Sequence, residues 1–344
     1  MTGGPLGAVA AVDIGATKTS VAVVPLPVAG WPPRTADGAP RVRTMPTDRD
    51  PALALDAIVA AVRAGLADLG PAGAVVLRAV GCAAPGPLDP ERGVVIHSPN
   101  LGWRDVAVGP VLGAAMGVPW RLDDDANLGA LGEAILGAGR GARTVAYLSV
   151  SSGIGGGIVR DAVRMTGDHS LAGEVGHLDA GLGGVDPPRC SCGRSGHVEA
   201  YAGGVRLAAR AARRWPSGWL ADGRAAPRDA DAILRATRRE AEVRPLVRDA
   251  EMALATAIGA LAAVLDPGVI VVGGAVALAH PGLVRRAAAI AARRAIPEAG
   301  RALRVVPAVL GSECVLAGSA LMAAEAVDRD AFKVSDIGKG VRDA

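Results

Sequence analysis

The sequence predicts an α/β fold that is built from two related halves. Residues 8–24 are typical of an apolar strand, a turn of glycine and small polar residues, and a second apolar strand. Residues 144–159 repeat this arrangement around the segment SSGIGGG. Segments with helical spacing of apolar residues follow the strands, for example at residues 51–69 and 281–296. The repeat indicates an internal duplication in which each half carries one glycine hairpin.

The composition is that of a globular chain and argues against several functional classes. The 344 residues are 50% hydrophobic and 21% charged, which is sufficient for a core. A net charge of +3 without clustered cations argues against nucleic acid as a partner. The chain shows no signal peptide, and no apolar run reaches the roughly 20 residues of a membrane span. We therefore expect a cytoplasmic protein with no membrane partner.

Three glycine turns follow apolar strands and are candidates for binding phosphate. Glycine lets backbone N–H groups approach an anion closely, and lysine or hydroxyl groups add charge and hydrogen bonds. One such turn is commonly structural, whereas three, each after an apolar strand, favour a phosphate-binding role. Their spacing matches neither the P-loop nor the dinucleotide-binding pattern. The candidate residues are Asp13, Gly15, Thr17 and Lys18 in DIGATK, Ser152, Gly153, Gly155 and Gly156 in SSGIGGGI, and Gly273 and Gly274 in VVGGA.

Asp123, Asp124 and Asp125 form an acidic triplet just before a predicted helix at residues 126–138. Three adjacent carboxylates are costly unless they face water, a cation or a substrate. One interpretation is that they cap the helix. The other is that one carboxylate accepts the proton of a hydroxyl that attacks a phosphoryl group, which is the general-base role in phosphoryl transfer. The residues alone leave both interpretations open.

Two cysteines and two histidines form a candidate metal site. His177 lies in GEVGH, and Cys190, Cys192 and His197 lie in CSCGRSGH. Two thiolates and two imidazoles suit tetrahedral Zn²⁺, and four protein ligands indicate a closed, structural site. The alternative is a pair of reduced loop cysteines near unrelated histidines. The other two cysteines lie in apolar segments, so the pattern favours a metal site over disulfides.

Eight short motifs resemble the signatures of one family. In chain order they are DIGATKTS, APGPLD, SPNLGW, DDDANLGALGE, SGIGGGI, LAGEVGHL, CSCGRSGHVEA and DPGVIVVGG. Over roughly residues 10–320 they resemble the ROK family of repressors, open reading frames and kinases. The combination of GEVGH with CxCGxxG is highly specific. The resemblance implies an actin-like ATPase (ribonuclease H-like) fold, with two lobes and a cleft between them, and a homodimer or homotetramer.

The resemblance also implies how the chain divides into lobes. A small lobe would comprise residues 1–122 and would be completed by a C-terminal helix at residues 315–330. A large lobe would comprise residues 123–314 and contain a zinc-binding loop at 177–199. Residues 331–344 are expected to form a flexible tail.

The resemblance implies the role of each candidate residue. Asp125 matches the catalytic base, and Mg²⁺–ATP would lie across the first two glycine turns, with Gly273 and Gly274 on the adenosine side. His177 is implied both as a sugar contact and as a ligand of a structural Zn²⁺. The implied sugar contacts are Gly86, Pro87, Asn100, Asp124, Glu174, His177 and Glu199.

Three residues depart from the family pattern. Asp124 replaces an asparagine that usually binds sugar hydroxyls, and a carboxylate only accepts hydrogen bonds, which would suit an amino group or a different hydroxyl pattern. His197 replaces the usual third cysteine, and imidazole is a competent zinc ligand. Ala16 replaces the second glycine of the first turn, which a turn with negative φ would tolerate.

We therefore expect an ATP-dependent sugar kinase, with glucose phosphorylated at C6 as the default and an amino sugar or a cyclitol as the alternative substrate. A hypothesis of another class is a sugar-responsive transcriptional regulator of the same family. Only 12 residues precede Asp13, which leaves no room for the DNA-binding domain of such relatives. A polyphosphate-dependent glucokinase is a third hypothesis, and those relatives generally lack the cysteine loop.

Overall fold

The computed structural model of the chain describes residues 5–33, 41–184, 186–237 and 239–327. The predicted mixture of strands and helices is confirmed. Among the described residues, no helix combines the length and the apolar character needed to cross a bilayer. The predicted tail at 331–344 lies outside the described residues, as do the last three residues of the helix expected to end at residue 330.

The described elements fall into two compact units. The first contains the described residues of Met1–Gly137, Asp161–Val163 and Glu313–Ala344, and the second those of Ala138–Arg160 and Arg164–Ser312. The first unit thus extends past the predicted division at residue 122 by the length of one helix, because that helix packs against the C-terminal helix.

Strands and helices alternate along much of the chain. The strands are β1 (Leu6–Ile14), β2 (Lys18–Pro25), β3 (Val42–Pro46), β4 (Val75–Ala83), β5 (Leu88–Asp89), β6 (Val94–Ser98), β7 (Trp103–Val106), β8 (Trp120–Asp123), β9 (Thr144–Val150), β10 (Ile154–Arg160), β11 (Val163–Arg164), β12 (Val269–Gly273) and β13 (Val305–Pro307). The helices are α1 (Pro51–Leu69), α2 (Val108–Met116), α3 (Asp125–Ile135), α4 (Val198–Ala202), α5 (Gly204–Arg214), α6 (Ala230–Ala236), α7 (Arg244–Leu265), α8 (Ala275–Ala279), α9 (Pro281–Arg294), α10 (Pro297–Ala302) and α11 (Cys314–Val327).

Two five-stranded sheets have the same strand order, which confirms the predicted duplication. The first sheet has the order β3-β2-β1-β4-β8, and the second has the order β11-β10-β9-β12-β13. In each, an antiparallel hairpin (β1–β2 or β9–β10) is followed by two parallel strands. The central strands β1 and β12 are apolar and buried over nearly their whole length, as expected for strands that are covered on both faces. A third sheet has the order β5-β6-β7.

The strand register places several candidate residues at one edge of the first sheet. Asp13, at the end of β1, is in register with Ala83 of β4, and Ala83 is in register with Asp123 of β8. These three strands are parallel, so the glycine turn after β1 and the acidic triplet after β8 leave the same edge. In the second sheet, Gly273 of β12 is in register with Ser149 of β9. The glycine turns that follow β9 and β12 therefore share an edge as well.

Helices α3 and α11 pack closely in the first unit because small residues line their contact. A Cβ atom at Gly318 would lie 1.9 Å from the carbonyl oxygen of Leu128, and one at Gly132 would lie 2.2 Å from that of Cys314. The hydroxyl of Ser319 donates to the carbonyl oxygen of Val12 at 3.2 Å and so ties α11 to β1. The C-terminal helix is therefore part of the core of this unit.

This packing predicts opposite effects for two alanine substitutions in helices. Gly318→Ala should lower the free energy of unfolding by about 1–3 kcal/mol, because the methyl group would collide with backbone that cannot move away. Gly259→Ala in α7 should raise it by about 0.5–1 kcal/mol, because nothing lies within 4 Å of the new Cβ and the unfolded chain loses freedom. Urea unfolding of both variants measures this. Equal changes in the free energy of unfolding for the two variants would contradict the described α3–α11 contact.

Candidate active site

The first glycine turn, between β1 and β2, is held in place by hydrogen bonds and leaves its tip exposed. The N–H of Gly15 donates to the carbonyl oxygen of Lys18 at 2.9 Å, and a Cβ atom at Gly15 would lie 2.8 Å from that oxygen. The hydroxyl of Thr47 donates to the carbonyl oxygen of Gly15 at 2.8 Å. Thr17 and Lys18 are exposed. Thr47 supports the turn from just after β3, and no sequence motif marked it.

The backbone explains why alanine fits the first turn but would not fit the third. Ala16 is not among the described residues with positive φ, which agrees with the predicted tolerance of alanine there. Gly274 has a φ of 88°, and a Cβ atom there would lie 2.5 Å from the carbonyl oxygen of Val150. One at Gly273 would lie 2.4 Å from the hydroxyl oxygen of Tyr147. Gly274 is therefore required for backbone packing against β9, and Gly273 leaves room for the Tyr147 side chain.

The three aspartates of the acidic triplet differ in burial and in hydrogen bonding. Asp123 is 5% exposed and accepts hydrogen bonds from the N–H of Asp124 at 2.7 Å and from Nδ2 of Asn127 at 3.0 Å. Asp124 is the N-cap of α3 and accepts from the N–H of Ala126 at 2.8 Å. Asp125 is the first residue of α3, and its side chain is exposed. The capping interpretation thus holds for Asp124, and the general-base role of Asp125 stays a prediction.

Asp13 and Asp125 are close enough to influence each other's ionisation. Burial and the like charge of Asp125 raise the pKa of Asp13 to about 7, against the opposing effect of Lys18. Desolvation by surrounding protein atoms also raises the pKa of Asp125, partly offset by hydrogen bonds with Ala126 and Asp124. A raised pKa brings a carboxylate closer to the range in which a general base works at neutral pH. Two carboxylates that repel each other also favour a nearby cation.

Three predicted sugar contacts of the first unit lie beside its three-stranded sheet. Gly86, Pro87 and Asn100 are all exposed. Gly86 has a φ of 108°, and a Cβ atom there would lie 2.4 Å from the carbonyl oxygen of His97. This close approach places the PGP turn against the end of β6, from which the loop that carries Asn100 begins. The fold therefore brings the turn before β5 and the loop after β6 together.

The second glycine turn, residues 151–153, connects β9 to β10, and we call it the nucleotide turn after its predicted role. The N–H of Ser151 donates to the carbonyl oxygen of Gly153 at 3.0 Å. The first residues of α5 stabilise the turn through two hydrogen bonds. The N–H of Gly204 donates to the carbonyl oxygen of Ser151 at 2.8 Å, and the N–H of Val205 donates to that of Ser152 at 3.0 Å. Ser152 is exposed at the tip.

Gly155 and Gly156 lie in strand β10 and outside the nucleotide turn. Gly155 pairs with Ser149, and the buried Gly156 pairs with Leu148. A Cβ atom at Gly156 would lie 2.5 Å from the carbonyl oxygen of Gly173. Packing of the GEVGH segment on β10 therefore explains the glycine at 156, and the predicted contact of these two residues with nucleotide stays a prediction.

The four predicted metal ligands lie together in the second unit. Their ligand atoms are all within 4.8 Å of one another. The Sγ atom of Cys190 lies 3.5 Å from Nδ1 of His177, and that of Cys192 lies 3.4 Å from Nδ1 of His197. Three of the four lie in residues 186–197, which we call the metal loop.

The geometry and chemistry of this cluster fit Zn²⁺. Tetrahedral zinc with Zn–S near 2.3 Å and Zn–N near 2.1 Å separates sulfur and nitrogen ligands by about 3.6 Å, close to both distances above. Burial and the neighbouring Glu199 raise the pKa of the Cys190 thiol to about 11, so a thiolate there calls for a compensating cation. Nε2 of His177 lies 3.6 Å from Oε2 of Glu174, the kind of carboxylate contact that orients a zinc-binding imidazole.

Glu199 is 8% exposed and hydrogen-bonds to two different segments. Its Oε2 accepts from the N–H of Ile154 at 3.2 Å. Its Oε1 accepts from the hydroxyl of Ser191, from the N–H of Ser191 at 3.4 Å and from the thiol of Cys190 at 3.3 Å. Although burial opposes ionisation, these hydrogen bonds lower the pKa of Glu199 below its usual value. The sequence motifs assigned Glu199 to the sugar and gave no role to Ser191.

A cavity of about 820 Å³ lies elsewhere on the second unit, along α7 and α9. Arg244, Arg248, Arg293 and Arg294 are among the residues that line it. None of the lining residues was predicted as a site residue. No role in the candidate site is therefore assigned to this cavity.

Comparisons with known proteins agree with this architecture. The model of the ROK family matches residues 9–326. A glucokinase from Halalkalibacterium halodurans is 33% identical over 212 residues, which are 60% of this chain and 64% of that protein. The match thus spans slightly less than two thirds of that relative's length.

Solved structures extend the similarity to nearly the whole chain. A ROK hexokinase from Thermus thermophilus has a TM-score of 0.78 and 30% identity over 94% of this chain and 99% of that one. A ROK family glucokinase from Streptomyces griseus, in complex with glucose and AMPPNP, has a TM-score of 0.69 and 27% identity over 93% and 100%. The fold class is therefore the actin-like ATPase fold that the motifs predicted. The chain, which carries the motifs, the duplicated sheets and the family match, belongs to the ROK family.

Proposed function

We propose that the chain is an ATP-dependent kinase that phosphorylates a hexose, with the C6 hydroxyl as the acceptor. The observation that carries this proposal is the position of Asp125. It is an exposed carboxylate with a raised pKa at the start of α3, on the sheet edge that also carries Asp13 and the first glycine turn. Similarity to a glucokinase and to a ROK hexokinase supports the same activity.

Asp125 would act as the general base of the reaction. Its carboxylate would take the proton of the sugar hydroxyl while that oxygen forms a bond to the γ-phosphorus of ATP, and the bond from this phosphorus to the bridging oxygen of ADP would break. The N–H groups and hydroxyls of the first two glycine turns would hold the phosphates, and Gly273 and Gly274 would lie on the adenosine side. Mg²⁺, when bound with ATP, would neutralise phosphate charge.

The family motifs supply the sugar contacts of this proposal. In the first unit we assign this role to Gly86, Pro87, Asn100 and Asp124. In the second we assign it to Glu174, His177 and Glu199. Structural Zn²⁺, held by His177, Cys190, Cys192 and His197, would fix the loop that leads to α4.

Asp124 bears on which sugar is preferred. An asparagine side chain both donates and accepts hydrogen bonds, whereas a carboxylate only accepts them. A carboxylate next to the catalytic base therefore favours a substrate that presents a donor at this point, such as an amino group or a hydroxyl in a particular orientation. An amino sugar or a cyclitol is accordingly the alternative substrate class. Assembly as a homodimer or homotetramer also stays a prediction.

An ADP-release assay over hexoses, amino sugars and cyclitols tests the proposal directly. With ATP as donor we expect turnover with at least one hexose, and the same panel with polyphosphate tests the alternative donor. A purified protein that binds a sugar but transfers phosphate from neither donor would contradict the kinase assignment. That result would favour the regulator hypothesis, which an operator-shift experiment at physiological salt would then examine.

A further inference from the structure

We infer that Glu199 is a positioning residue that couples the metal loop to the nucleotide turn, so that metal occupancy controls nucleotide affinity. This inference rests on the proposed function. It gives Glu199 a second role beside the proposed sugar contact, and it follows from the hydrogen bonds that the two oxygens of this buried carboxylate accept.

The first contact joins Glu199 to the metal loop. Ser191 donates to Oε1 of Glu199 through its hydroxyl and through its N–H. Ser191 lies between Cys190 and Cys192, which are two of the four metal ligands. Metal binding fixes both neighbours of Ser191, and it therefore fixes the two donors that orient the Glu199 carboxylate.

The second contact joins Glu199 to the nucleotide turn. Its Oε2 accepts from the N–H of Ile154, the residue directly after the turn, at 3.2 Å. A Cβ atom at Gly153 would lie only 2.6 Å from the same oxygen. The carboxylate therefore touches the turn itself, and a glycine at 153 is needed for it to fit. A shift of the carboxylate would change the direction of the Ile154 N–H and the conformation of the turn.

Gly196 and His197, at the end of the metal loop, pair with residues 179 and 180, whereas the stretch 191–195 has few other contacts to order it. Residues 191–195 are all exposed. The backbone hydrogen bonds of this segment are local. The N–H of Cys190 donates to the carbonyl oxygen of Arg194 at 2.7 Å, and the N–H of Gly193 donates to the carbonyl oxygen of Cys190 at 3.2 Å. At a structural metal site, the free energy of metal binding stabilises the ordered conformation of the residues that hold the metal. Loss of the metal would therefore release Ser191 and, through it, the Glu199 carboxylate.

The coupling predicts a measurable link between two binding events. Coupled sites commonly change each other's affinity by about 5–150-fold, and the effect is reciprocal. Metal removal should therefore raise the Kd of AMPPNP at least fivefold in the natural protein. AMPPNP should in turn raise the affinity for Zn²⁺ by the same factor, as measured by competition with a chromogenic chelator.

Two variants test whether Glu199 and Ser191 carry this link. In Ser191→Ala and Glu199→Gln, the zinc-loaded protein should already bind AMPPNP weakly in calorimetry, and metal removal should change the Kd by less than about twofold. Ser195→Ala is the matched control, since it removes the same hydroxyl four residues along the same loop. It should behave like the natural protein. Circular dichroism confirms that each form is folded before titration.

The outcomes distinguish this inference from the proposed function. If no form binds AMPPNP, the kinase proposal fails. If all forms bind it and metal removal leaves the Kd unchanged in the natural protein, the coupling is refuted. The coupling is also refuted if metal removal raises the Kd of AMPPNP in both variants as much as in the natural protein. Because Ser191 is exposed, Ser191→Ala should fold even if Glu199→Gln does not, so the inference stays testable.

Discussion

Replacing Asp125 by asparagine is expected to lower kcat by about 10²–10⁴-fold, the usual contribution of a general base. The amide has nearly the shape of the carboxylate but does not accept a proton at neutral pH. The side chain is exposed at the first position of α3. The N-cap hydrogen bond to Ala126 is made by Asp124, so the helix should form normally. Steady-state kinetics with the best substrate of the panel measures the effect.

Asp56→Asn is the matched control for this experiment. Asp56 is exposed on α1, and the substitution changes charge and shape by the same amount. It should leave kcat within about twofold. Calorimetry should show that Asp125→Asn still binds AMPPNP, which separates a chemical defect from a binding defect. If Asp125→Asn retained more than about a tenth of the natural kcat, another group would have to be the base.

The second large effect is expected at the metal cluster. Elemental analysis of the natural protein should find about one zinc per chain, because four ligand atoms of the right kind converge within 4.8 Å. Cys190→Ala should reduce the zinc content to near zero. It should also lower the melting temperature, since a structural metal contributes binding energy to folding.

A control outside the cluster separates metal loss from loss of stability. Cys82 is fully buried in β4, and burial raises the pKa of its thiol to about 12, so it is an inert core residue. Cys82→Ala should lower the melting temperature but keep one zinc per chain. Cleanly purified natural protein without zinc, or full zinc content in Cys190→Ala, would remove the proposed site.

The sequence predicted those features whose signals are local. The apolar runs on both sides of each glycine turn predicted the two hairpins, and the structure adds that both sheets share one strand order. The motifs GEVGH and CSCGRSGH predicted a cluster of His177, Cys190, Cys192 and His197, and the structure places these four ligand atoms within 4.8 Å of one another. The acidic triplet marked the start of α3, and the structure adds that Asp124 is the carboxylate that caps this helix. The general-base role of Asp125 stays a prediction.

The features that the sequence did not predict depend on contacts between distant residues. Thr47 supports the first turn from 32 residues away, and Glu199 reaches Ile154 from 45 residues away. No local pattern marks either pair. Gly155 and Gly156 were assigned to a turn because they continue a glycine run, whereas the GEVGH segment that packs on β10 determines the need for glycine at 156.

The position of α11 has a consequence for synthesis of the protein on the ribosome. The first unit needs this helix for its core, yet residues 138–312 must be made between Gly137 and Glu313. At about 5–20 residues per second, this takes roughly 10–35 s. During that interval the carbonyl oxygen of Val12 lacks its hydroxyl donor from Ser319. The residues of the second unit are almost continuous in the chain, so all of them are available for folding before α11 is made. The first unit begins synthesis earlier but can complete its core only later.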